Sequence, residues 1–190
     1  DQYAARKLAS LAASTLLRTP VDSAREDAIW VNRSGRRLLS FCCNDYLNLS
    51  QRPAVKHAAI QAIETYGVGA GASRLVTGNH PLYAELETRL AQLKGAEASC
   101  VFGSGYLANT GIIPALVGGN DAVFVDGLAH SCIGSGAELS GATIHTFAHN
   151  DVKDLERLLG AHRAQARNAL IVTEGVFSMD GDLEIGRAHV

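Results

Sequence analysis

The chain has 190 residues, 47% of them hydrophobic and only 19% charged, which is the composition of a globular protein with a real core and excludes a disordered segment. Its 17 basic and 19 acidic residues leave a formal charge of -2 and are scattered rather than gathered into runs, so nothing marks a nucleic-acid partner. No stretch reaches the roughly 20 apolar residues that span a bilayer, and the first thirty residues lack the blocks of a secretory signal. The chain is expected to be cytoplasmic, and its four cysteines, Cys42, Cys43, Cys100 and Cys132, to be buried free thiols, because no C-x-x-C spacing suggests zinc or a redox pair.

In chain order, residues 2 to 18 place Leu8, Leu11, Ala12 and Leu16 at helical spacing ahead of Pro20, which predicts an amphipathic helix. Residues 29 to 41 alternate around Ser34-Gly35 and predict a small hairpin. Pro53 to Gly67 and Pro81 to Gly95 each carry an apolar stripe between a helix-starting proline and a helix-ending glycine. From residue 98 the rhythm becomes short apolar runs, 98 to 102, 122 to 125, 143 to 147 and 169 to 173, separated by helix-length segments. That alternation predicts an α/β fold with a mostly parallel sheet. Asn150-Asp151 can cap a helix over 152 to 159.

Several stretches could carry chemistry. Phe102-Gly103-Ser104-Gly105-Tyr106 stands where a strand should end and a helix begin, and such a helix start suits a phosphate; a plain tight turn would use the same glycines. Residues 67 to 78 hold four glycines between two helices, but no Gly-Lys-Ser/Thr follows, so a nucleotide triphosphate has little support. A dinucleotide site fails for want of a third glycine after Gly103 and Gly105 and of an acid at the end of the next strand. His130 follows the run ending at Val125, where α/β proteins build their sites. His145 and His149 are four apart, with no carboxylate or cysteine to complete a ligand set, so no metal is expected. Thr173 to Asp182 packs three acids, a serine and two glycines into a functional-looking loop.

Together, Asn44-Asp-Tyr-Leu47, the glycine loop through Ser73-Arg74 and Thr77-Gly78, Gly103-Ser-Gly-Tyr-x-Ala-Asn109, His130-Ser131 and Thr173-Glu-Gly-Val-Phe-Ser-Met-Asp-Gly181 resemble the α-oxoamine synthases, from about residue 15 to 183. The resemblance implies the large domain of a fold-type I transferase dependent on pyridoxal 5'-phosphate. That domain would occupy residues 46–183 in incomplete form, after an N-terminal helix and hairpin segment at 1–45. It also implies the chemistry of the family: decarboxylative condensation of an amino acid with an acyl thioester, in a homodimer with the site at the subunit interface.

Phe147-Ala-His-Asn-Asp151 followed by Glu174 to Asp182 looks most like the branch that condenses L-alanine with a pimeloyl thioester carried on acyl carrier protein or coenzyme A. The glycine C-acetyltransferase, serine palmitoyltransferase and 5-aminolevulinate synthase branches, and a non-catalytic scaffold relative, are the alternatives. Carried onto this chain, the resemblance makes the backbone of Gly105 and Tyr106 the cofactor-phosphate contacts and lays His130 on the pyridine ring. It sets Ser178 and Glu174 on the ring's hydroxyl side, and Asn44 and Arg18 toward the substrates. The family's cofactor lysine and pyridine aspartate match nothing here, and none of Lys7, Lys56, Lys94 or Lys153 stands in their context. Residues 184 to 190 break the family pattern and are expected to be non-native, and the chain alone to be inactive.

Overall fold

A computed structural model describes residues 2–27 and 29–183; the tail expected to be non-native lies outside the described residues. The chain divides into two compact units, residues 1–72 and 73–190.

The first unit opens with α1 (Gln2–Ala13). It stops short of the expected residue 18: Ser14 Oγ turns back onto the Ser10 carbonyl at 2.9 Å, and Thr15 takes a left-handed φ of 58°. Local hydroxyl bonds of this kind compete with helix propagation. Three short antiparallel strands follow, β1 (Ser23–Asp27), β2 (Trp30–Arg33) and β3 (Arg36–Leu39). The expected hairpin is β2–β3; its turn residues Ser34 and Gly35 have φ of 51° and 77°, the backbone that a two-residue hairpin needs. β1, which pairs with β2, has no alternating pattern and was not anticipated. Then comes α2 (Pro53–Tyr66), with proline at its first position and Gly67 closing it at φ 80°. Its apolar side chains Val55, Ile60 and Ile63 stay exposed.

The second unit begins with a single π turn at Arg74–Gly78 and α3 (Pro81–Lys94), ended by the left-handed Gly95. Arg74 anchors this region. Its guanidinium pairs with Glu87 at 2.7 Å, donates to the Val101 carbonyl and lies over the Tyr83 ring. The strand expected over 98 to 102 does not form among the described residues. Side chains take the ladder's place: the Val101 N–H donates to Glu87 and its carbonyl accepts from Arg74.

Beyond it the predicted alternation appears as α4 (Gly105–Leu116), β4 (Ala122–Asp126), α5 (Ser131–Ser140), β5 (Thr143–Phe147), α6 (Val152–His162) and β6 (Ala169–Val172). The strands form one parallel sheet in the order β5-β4-β6, which bears out the expected α/β class. β4 is buried throughout, and its side chains divide by parity. Val123 and Val125 pack with Ile113, Cys132, Ile133 and Ala137 of α4 and α5, while Ala122 and Phe124 pack with Phe147 and Leu158 on the other face. Helices on both faces of a parallel sheet explain why β4 is a continuous apolar run. Asp151 caps α6 by accepting the Asp154 N–H at 3.0 Å.

At the amino end of β4, buried Asp121 accepts from Arg167, Gly118 and Asn168, and the Arg167 guanidinium first of all lowers its pKa to about 2. The cysteines depart from expectation: Cys132 is buried in the α4–α5 seam, whereas Cys42 and Cys100 are exposed because they lie outside any packed element. Among the described residues no helix is long and apolar enough to cross a membrane.

Candidate active site

The carboxyl ends of β4 and β6 and the starts of α4 and α5 converge on one region of the second unit. At the start of α4, Ser104 is extended and acts as cap, its Oγ accepting the Leu107 N–H at 3.1 Å. The first intrahelical bond runs from the Ala108 N–H to the Ser104 carbonyl at 3.0 Å. The N–H groups of Gly105 and Tyr106 therefore precede the helix's own bonding and face outward, where the helix dipole adds positive potential. Nothing lies within 4 Å of where a Cβ on Gly105 would stand, so no packed group covers the helix start on that side. Tyr106 also ties α4 to α5, its hydroxyl meeting Ser135 Oγ at 3.2 Å.

His130 is the cap of α5. Its Nδ1 accepts the Cys132 N–H at 3.2 Å and lies 2.9 Å from the Cys132 Sγ, which itself is 3.1 Å from the Asn109 amide nitrogen. An Nδ1 used as acceptor puts the proton of a neutral ring on Nε2. Glu174, just past β6, accepts the backbone N–H of His130 through its Oε1, a carboxylate at a helix start. The structure thus joins two of the residues singled out from the sequence, and sets a third, Tyr106, on the neighbouring helix start. Ser178 lies exposed in the turn after buried Phe177, and among the described residues no hydrogen bond links it to His130 or Glu174. Arg18 and Asn44 belong to the first unit and are exposed, Arg18 between α1 and β1 and Asn44 beside Asp45.

One group of residues was missed in the sequence. Asp126, at the carboxyl end of β4 and with its side chain fully buried, accepts the N–H groups of Leu128 and Asn150 and lies 2.9 Å from His149 Nδ1. His149 Nε2 is 2.7 Å from Asp182 Oδ2, and Asn150 Nδ2 donates to the same oxygen at 3.1 Å. Burial pushes the Asp126 pKa up, but the bonds from Asn150, Leu128 and His149 together hold it below the ordinary value. The Asp126 bond, then the Asp182 bond, raise that of His149. His149 stands four residues after His145, the other member of the histidine pair considered for a metal. The structure separates them, since His145 stacks between Phe124 and His162. The available signal was an acid ending one strand and a histidine just after the next.

A second opening, a cavity of about 520 Å³ lined by Asp121, His145, His162 and Arg167, lies at the amino ends of β4 and β5. Sites in open α/β sheets sit at the other end, where the free donors and His130 are, and Asp121 and Arg167 already satisfy each other. The carboxyl end is therefore the candidate site. Its residues fit pyridoxal phosphate: two backbone donors at a helix start that have no partner among the described residues, for a phosphate, and an exposed imidazole on a capped helix for a flat ring.

The chain belongs to the aminotransferase class I and II family, whose model matches residues 36–183. Within it, the chain is similar to 8-amino-7-oxononanoate synthases. That of Beijerinckia indica is 61% identical over 183 residues, 96% of this chain and 47% of the relative. That of Methylocella silvestris is 64% identical over 150 residues, 79% of this chain and 43% of the relative.

The chain thus spans about half the length of the curated relatives it matches. Among solved structures, Sphingomonas wittichii serine palmitoyltransferase superposes with a TM-score of 0.83 at 33% identity, covering 96% of this chain and 46% of its own. A serine palmitoyltransferase from S. paucimobilis with bound PLP reaches 0.85 at 29% identity, over 95% of this chain and 46% of its own. The resemblance to α-oxoamine synthases read from the motifs is borne out by these relatives.

Proposed function

We propose that the protein carrying this chain is a pyridoxal-phosphate-dependent acyltransferase that condenses L-alanine with a pimeloyl thioester, releasing carbon dioxide and the free thiol carrier and forming 8-amino-7-oxononanoate for biotin synthesis. The observation that carries this reading is the 61% identity, over 96% of the chain, to a synthase of that name. Similarity to serine palmitoyltransferases supports the alternative of another α-oxoamine synthase, but at 33% identity it ranks second.

In this reading the Gly105 and Tyr106 N–H groups hold the cofactor phosphate, and the imidazole of His130 covers one face of its ring. Glu174 fixes His130 through the backbone N–H at the start of α5. Ser178 lines the ring's hydroxyl side; Asn44 and Arg18 serve the amino-acid and acyl substrates. Bound there, pyridoxal phosphate supplies an electron sink for the amino acid's α-carbon. A cytoplasmic homodimer with the site at the subunit interface belongs to the same proposal. So does the inactivity of the 190-residue chain by itself, none of whose four lysines matches the family's cofactor lysine.

The test is turnover by the intact protein with pyridoxal phosphate, L-alanine and pimeloyl-coenzyme A or pimeloyl-acyl carrier protein, with product followed by mass spectrometry. The expected result is an 8-amino-7-oxononanoate signal and none of the corresponding ketone from serine and palmitoyl-coenzyme A. A preference for serine or glycine would move the protein to another branch.

A further inference from the structure

The loop after β6 carries Glu174 and Ser178 and, besides the bond from the His130 N–H to Glu174, is fastened in two ways. It closes on itself: the Phe177 N–H donates to the Asp182 carbonyl at 3.0 Å, the Gly181 N–H to the Phe177 carbonyl at 2.8 Å, and Val176 bridges Leu183. It is also fastened to the sheet, and there His149 is the link. The imidazole is held by the buried Asp126 carboxylate on one side and by Asp182 on the other, with its ring meeting the edge of buried Phe177 at 4.4 Å between centroids. Both ring nitrogens face carboxylate oxygens, which only the doubly protonated ring satisfies as donor on both sides. Asn150 adds a second strut, donating to Asp182 and to the Leu183 carbonyl.

We propose that His149 is a positioning residue, a two-sided tether between the end of β4 and Asp182 that fixes where the 174–182 loop presents Glu174 and Ser178 beside His130. Asp126 ends the strand that leads to His130, so one buried carboxylate sets the height of both His149 and the turn before α5. The tether concerns the site's geometry and makes no contact of its own with substrate. Its bearing on the cofactor rests on the reading given above, in which Glu174, Ser178 and His130 surround the ring.

Hydrogen exchange on the intact protein without cofactor tests the tether, and titration with pyridoxal phosphate tests its consequence. In His149→Phe, which keeps a ring against Phe177 and loses both donors, exchange over 174–183 rises by about tenfold or more, the opening released by losing one charge-assisted bond. Exchange over β4 and α6, which follows the global stability that the variant also lowers, rises by less than that of the loop. Asp182→Ala does the same from the loop's side, whereas Asp182→Asn, whose carbonyl still accepts from the imidazole, restores most of the protection. Affinity for pyridoxal phosphate falls in the first two variants in step with the lost fraction of ordered loop and recovers in the third.

Parent-like exchange over 174–183 in both His149→Phe and Asp182→Ala would overturn the tether. Raised exchange with undiminished affinity would overturn its role in positioning the site. Failure of the underlying reading has a different mark: His130→Ala would then bind pyridoxal phosphate as the parent does, whatever the loop's exchange.

Discussion

The start of α4 is where a single atom decides most. Gly105→Pro deletes one N–H and nothing else that the helix uses: proline is favoured at the first helical position, Ser104 before it is already extended at φ -163° and ψ 162°, and the space beside Gly105 is open. The variant should keep its stability and lose about 1.5–3 kcal/mol of phosphate binding, a tenfold to hundredfold weaker affinity for pyridoxal phosphate by absorbance titration. His149 gives a second residue-level prediction. Its pKa is raised in the folded state by Asp126 and Asp182, so its contribution to stability is complete below the ordinary value of 6.5 and is lost as the pH rises through the folded value. The melting temperatures of the parent and of His149→Phe should therefore be furthest apart at and below pH 6.5 and draw together in more alkaline buffer. A gap that widens with pH would mean that the ring is neutral in the fold. The helix starts that hold Gly105, Tyr106 and His130 were legible in the sequence because each follows a strand-like run. The Asp126–His149–Asp182 link was not, because its members lie on three different crossings of the sheet and no local pattern joins them.

Helices declared themselves by their ends. Pro53 with Gly67 and Pro81 with Gly95 bracket α2 and α3 as expected, and Asp151 caps α6. Elements defined by partners were harder: β1 lacks an alternating pattern, and residues 98 to 102 look like a strand yet bond to side chains of Arg74 and Glu87. The packing of α4 on α5 depends on one glycine that periodicity could not single out. A Cβ on Gly136 would stand 2.6 Å from the Asn109 carbonyl oxygen and 2.9 Å from Ile113 Cδ1. Gly136→Ala should thus destabilise by about 1–3 kcal/mol despite alanine's better helix propensity. Gly134, two residues earlier in the same helix, meets nothing within 4 Å, so Gly134→Ala should stabilise by about 0.5–1 kcal/mol. Denaturant midpoints of the two variants should move in opposite directions. A shared direction would show that the seam is not closed as described.

At the scale of the whole molecule, fold and chemistry meet at one end of a parallel sheet. β4 is buried between two helical layers, and the turns leaving β4 and β6 bring His130 and Glu174 together across 44 positions of sequence. The class of fold was legible from the alternation of short apolar runs and helical segments; the family was legible from motifs spread from Asn44 to Gly181. The surroundings of Arg18 and Asn44 were less legible, since both belong to a unit with its own small antiparallel sheet. The central claim is that the start of α4 receives the cofactor's phosphate. It is tested most directly by following the backbone amide resonances of the intact protein as pyridoxal phosphate is added. The account predicts that Gly105 and Tyr106 shift first and furthest, with His130 moving alongside. Shifts confined to the opposite end of the sheet, around Asp121 and Arg167, would contradict it.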